Sequence, residues 1–154
     1  MEVVDHIGNI DLLKLQKTAF LCSREIPASI VLKCYDWAIA QREQGNCIIG
    51  GFHSKIEKDV LHYLLKGEQP IIIAMARGLK QRIESEFKSE LEKGRLLIVT
   101  PFVKETKRIT TETATIRNQL MIDLADSITV GFISKAGNLY KLLKQSKKVI
   151  TMIE

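Results

Sequence analysis

The stretch GNCIIGGFHSKIEKDVLHYLLKGEQPIIIAM, residues 45–75, decides the fold. An apolar run, Cys47 to Ile49, ends in two adjacent glycines, Gly50 and Gly51. A polar tripeptide, His53 to Lys55, opens a helical stripe made by Ile56, Val60, Leu61, Leu64 and Leu65. Gly67 closes it, and a second apolar run, Pro70 to Met75, follows at once. Both runs are apolar at successive residues rather than alternate ones, as in strands buried on two faces. Strand, helix, strand in this order predicts a parallel sheet covered by helices.

The same alternation extends in both directions. Strands are predicted at 18–22, 47–51, 70–75, 95–100, 127–133 and 148–153. Helices are predicted at 27–43, 55–66, 81–93, 111–125 and 137–146. Pro27 suits a first helical turn, and Gly45, Gly67 and Gly94 suit helix ends. The expected fold class is α/β: a Rossmann-like, doubly wound, mostly parallel sheet of about six strands with helices on both faces. Residues 1–154 read as one domain, with 1–16 an N-terminal packing segment in which IDLLKLQ forms a short helix or an edge segment.

Composition narrows the function. The 154 residues are 45% hydrophobic and 27% charged, within the globular range. No apolar run reaches the roughly 20 residues of a membrane span, and the first 25 residues do not read as a secretory signal. The three cysteines form no CxxC pair and, with three histidines, show no metal-ligand spacing. A cytoplasmic, reduced protein without metal or cofactor is expected. The net charge of +5 permits a polyanionic partner.

Ligands of open parallel sheets bind beyond the carboxyl ends of the strands. Each of those loops carries a cation here: Arg24; Lys55; Arg77, Lys80 and Arg82; Lys104, Lys107 and Arg108; Lys135. Beside helix N-termini, such an edge attracts phosphate. The double glycine fits either a tight turn or a phosphate's approach to the backbone. Neither GxGxxG nor GxxxxGK[ST] is present. Arg117 and Asn118 lie on the helix over 111–125, with Arg117 beside its apolar stripe, able to snorkel or to reach the edge. Lys141, Lys144, Lys147 and Lys148 read as a solvated face. No GxSxG or HExxH motif occurs; His53 and Glu57 are spaced as a conceivable acid–base pair.

Taken together, several stretches resemble the DprA/Smf family of DNA-processing proteins in bacterial transformation. TAFLCSR resembles the family's opening strand and VGSR loop, and GNCIIGGFHSKIEKDVLHYLLKGEQPIIIAMARGL resembles its second strand, Ser-Gly turn, helix and third strand. GRLLIVTPF and IRNQLMIDLADSITVGFISKAGNL resemble the next strand and the Arg-Asn helix with its following strand. The resemblance covers roughly residues 15 to 153. It implies a non-catalytic Rossmann module that binds single-stranded DNA or a nucleotide phosphate, forms a homodimer and serves a recombinase in DNA uptake or recombination. Its pocket, carried over by position, comprises Ser23, Arg24, Gly50, Gly51, His53, Ser54, Lys55, Arg117 and Asn118. The sequence departs from the family pattern at Cys22, Gly50 and Ser54 to Glu57. Two alternatives stand beside this reading. One is a nucleoside-monophosphate N-glycosidase-like enzyme, against which SKAGNLYK lacks the usual double glycine and acid. The other is an adaptor with a degenerate site.

Overall fold

A computed structural model describes all residues, 1–154. One sheet runs through the molecule in the order β1-β5-β4-β3-β2-β6-β7. Its strands are β1 (Asp5–Gly8), β2 (Lys17–Leu21), β3 (Cys47–Gly50), β4 (Ile71–Ala74), β5 (Leu96–Thr100), β6 (Ser127–Val130) and β7 (Val149–Met152). The helices are α1 (Ala28–Gln44), α2 (Lys55–Leu65), α3 (Ser85–Glu92), α4 (Thr111–Leu124) and α5 (Asn138–Gln145). All neighbouring strands pair in parallel except β1, which runs antiparallel to β5.

The mixed α/β class and the helical layers match the sequence reading, but the sheet has seven strands rather than six. The additional strand is β1, inside the segment assigned only to packing. Its DHIG stretch alternates half-buried and exposed residues, as an edge strand covered on one face must. A search for continuous apolar runs passes over it. IDLLKLQ then supplies a 3₁₀ helix, Ile10–Lys14, whose Leu12 enters the core.

Strands β2 to β5 divide their side chains between two apolar layers. Ile48, Ile71, Ile73, Leu96 and Ile98 face α1, α2 and α3, where Cys34, Ala38, Val60 and Leu64 complete one cluster. Ala19, Leu21, Ile49, Ile72, Leu97 and Val99 face the other way, against Leu120, Met121 and Ile122 of α4 and Leu143 of α5. Cys34 and Cys47 are buried without a disulfide partner, and burial pushes their thiols up to about 11.

Two other expectations are corrected. Helix α3 begins at Ser85, four positions later than 81, so Lys80 to Glu84 form an irregular loop. Strand β7 exists where KVITMI predicts it, but it is exposed along its length, with Val149 at 70%. It is an open edge, not a strand buried on both faces.

Candidate anion site at the strand ends

The strand order reverses beside β2, between β3 and β6, and the double glycine leaves the sheet one strand away. Geometry explains both glycines. A Cβ built on Gly51 would lie 2.5 Å from Cζ of Arg117 and closer still to Nη1. One on Gly50 would lie 2.6 Å from the ring of Phe52. The turn is therefore bare because a guanidinium and an aromatic ring occupy the space that side chains would fill. Phe52 makes the bend with φ of 49°, a left-handed conformation unusual for a bulky residue. Such strain is held by its surroundings, here the buried ring of Phe52 itself.

Arg117 reaches this turn from α4, on the opposite layer of the sheet. It is only 6% exposed. Its Nε donates to Asn118 Oδ1 at 2.9 Å and its Nη1 to the carbonyl of Ala74 at 3.3 Å. No carboxylate lies within ion-pair distance of it. Burial pushes its pKa below the ordinary arginine value, and the charge of nearby Glu57 opposes this in part. A guanidinium nonetheless keeps its proton. The result is a buried cation without a counter-ion, and that is an unsatisfied demand for an anion.

Arg117, Gly51 and His53 line the mouth of a cavity of about 620 Å³ that opens between α2 and the loop before α3. Glu84 and Glu86 line the same cavity, and so do Lys58, Arg77, Lys80 and Arg82. The loop carrying the last three is braced. Thr100 Oγ1 donates to the Arg77 carbonyl, and Gly78 N donates to Thr106 O at 2.7 Å. His53 is exposed; its pKa is lowered by partial burial first, then by the charges of Arg117 and Lys58. The cations around it outnumber the carboxylates, which favours an anion.

The other expected site residues are placed differently. Ser54 caps α2: Glu57 N lies 3.4 Å from its Oγ, and Glu57 Oε1 accepts from Ser54 N at 3.0 Å and from Ser54 Oγ at 2.8 Å. The buried Glu57 is thus committed to the cap rather than paired with His53. Lys55 is bound to Asp59 at 2.7 Å on an exposed face. Ser23 Oγ accepts from Ser134 N at 2.9 Å and ties the loop after β2 to the loop after β6. Arg24 is exposed beside that junction. Asn118 orients Arg117 and does not line the cavity. Lys148, read as solvated, instead donates to the carbonyls of Ile122 and Asp123 at the end of α4.

Thus Gly51, His53 and Arg117 converge. Ser23, Arg24, Gly50, Ser54, Lys55 and Asn118 sit outside the cavity wall. Lys58 was missed by the sequence reading. Its signal was its place one helical turn after Ser54, on the same stripe as Leu61, His62 and Leu65. Arg77, Lys80 and Arg82 were visible as loop cations but had no motif to carry them into the site.

Neither a family model nor a curated protein matches the sequence. Solved structures do match the fold. DNA processing protein A from Helicobacter pylori, whose single-stranded DNA binding mode was the subject of its structure, superposes with a TM-score of 0.74 at 19% identity, over 96% of this chain and 69% of that one. DNA processing protein A (DprA) from Streptococcus pneumoniae gives 0.72 at 17% identity, over 96% of this chain and 53% of that one. The chain therefore spans about half the length of the Streptococcus protein. The molybdenum cofactor binding protein from Rippkaea orientalis gives 0.63 at 10% identity, over 89% and 75%. The chain shares the Rossmann-like fold of the DprA structures. No helix is long and apolar enough to cross a membrane.

Proposed function

We propose that the chain is a DprA-like, non-catalytic module that binds single-stranded DNA through phosphates held at the Arg117–Gly51 mouth. The observation that carries this is the buried guanidinium with no carboxylate partner, in a cavity where Lys58, Arg77, Lys80 and Arg82 outnumber Glu84 and Glu86. Cations track a polynucleotide backbone, and free backbone amides after β3 add donors. The N–H groups of Phe52 and His53 donate to no backbone carbonyl, and those of Lys55 and Ile56 open α2. Ser23 and Arg24 extend the path toward β6, as the resemblance implies. The same resemblance supports a cytoplasmic homodimer working beside a recombinase. Glu57, which sequence spacing pairs with His53 as an acid–base candidate, is tied into the helix cap instead.

Fluorescence anisotropy with labelled oligo-dT tests this. The logarithm of affinity should fall linearly with that of salt, by about 0.7 per phosphate engaged, so a site holding about four phosphates gives a slope near −3. Absence of binding at low salt rejects the polynucleotide reading. As a second reading, the single buried guanidinium against Gly51 fits one nucleotide phosphate rather than a continuous strand. An affinity for GMP or AMP equal to that for oligo-dT would select it.

Binding should also respond to pH through His53. Its pKa lies below 6.5 in the free protein, lowered by partial burial and neighbouring cations. A bound phosphate beside it favours the protonated ring, so binding takes up a proton. Affinity should therefore rise as pH falls from about 7.5 through the free-state pKa, which lies below the usual 6.5. His53→Gln should flatten this dependence; an unchanged pH profile in that variant places His53 away from the anion.

A further inference from the structure

We infer that the cavity behind the cationic mouth is a binding site for a single-chain amphiphile: an unbranched aliphatic body with one carboxylate or phosphate head. This goes beyond DNA binding and rests on a different part of the cavity. Its apolar lining includes Leu61, Leu65, Ile73, Leu79, Phe87 and Ile98. None of these side chains can donate or accept a hydrogen bond. A nucleobase placed there would leave its polar edge without partners, at a large desolvation penalty. A polymethylene chain makes no such demand and gains from each buried carbon.

The cavity exists because of how the helices are spaced. Val60 and Leu64 of α2 are buried, and the helix packs closely on α1. Its next stripe, Lys58, Leu61, His62 and Leu65, turns toward α3. Helix α3 starts late, at Ser85, and packs on β5 and β1 rather than on α2. From Lys58 to Leu65 the helix rises about 10 Å, the reach of a medium-length acyl chain. The volume of about 620 Å³ lies within the range of small-molecule sites, roughly 300–1,000 Å³.

Charge favours an anionic head. Arg117, buried and without a carboxylate partner, lines the cavity with Lys58, Arg77, Lys80 and Arg82, and these five cations outnumber the two carboxylates, Glu84 and Glu86. An anionic head placed there meets Arg117 while the tail runs inward along α2. The amphiphile and DNA phosphates would share Arg117, so each should displace the other.

Titration with dansyl-undecanoic acid tests this by its fluorescence. One molecule should bind per chain with blue-shifted emission. Decanoate and decyl phosphate should displace it, decanol at least tenfold less well, and each methylene removed should weaken the competitor roughly fourfold. Leu65→Trp, which adds bulk to the apolar lining, should reduce probe affinity at least tenfold with the thermal melt retained. Phe87→Trp serves the same purpose if Leu65→Trp does not fold. Competition by decanol equal to decanoate, an absent chain-length trend, several probes per chain, or unchanged binding in the folded variants overturns the proposal. So does binding to phosphatidylglycerol vesicles in place of the free probe. Oligo-dT anisotropy on the same samples separates the two readings. Loss of DNA binding with probe binding intact rejects the DNA reading alone, and the reverse rejects the amphiphile alone.

Discussion

Arg117→Met should weaken oligo-dT binding by roughly 10- to 100-fold while leaving the protein harder to unfold. The binding loss follows from removing charge-assisted hydrogen bonds of about 1.5–3 kcal/mol. The gain in stability follows from the same burial. Arg117 is 6% exposed and has no counter-ion, so the folded protein carries the desolvation of a lone charge. Two hydrogen bonds, to Asn118 and Ala74, offset part of that penalty. Methionine fills similar space without the charge, and the net effect should be a stabilisation on the order of 1 kcal/mol. Urea melts and anisotropy titrations on one preparation read both quantities. A variant that loses stability as well as affinity would show Arg117 to be part of the scaffold instead.

Gly51→Ala should lower both stability and binding, and Arg117→Met should restore the stability. The added methyl would stand 2.5 Å from Cζ of Arg117, so the guanidinium or the turn must move. Overpacking of this kind costs about 1–3 kcal/mol. The displaced arginine would also lose its aim at the cavity. In the Arg117→Met background the neighbour is a flexible thioether that can yield, so the two substitutions should not add. A double-mutant cycle should therefore give a coupling of about 1 kcal/mol or more. Additive effects would mean that the bare turn serves the backbone alone.

These two positions also show what was legible in the sequence. Ile48, Ile49 and the run Ile71 to Ala74 announce buried parallel strands by their unbroken apolarity, and Ser54 with Glu57 announces the start of α2. The six parallel strands and five helices could be read for that reason. Strand β1 could not, because half-buried Asp5 and Ile7 alternate with exposed His6 and Gly8 in a four-residue edge strand with one apolar side chain. The site was legible only in fragments. Gly51 and Arg117 are far apart in sequence, and no local pattern says that one is small because the other fills its space. Lys55 and Ser54 looked like phosphate ligands because loop cations and helix starts often are. Their own neighbours, Asp59 and Glu57, already hold them.

The open edge at β7 has a geometric consequence for any assembly. Strand β1 ends the sheet with an antiparallel, half-polar partner, whereas β7 presents unpaired backbone groups flanked by exposed Val149 and Met152. Two copies joined antiparallel along β7 would be related by a two-fold axis. The carboxyl ends of their strands would then face opposite ways. The two Arg117 mouths would open on opposite rims of one continuous sheet, and a strand of DNA could visit both only by wrapping around it.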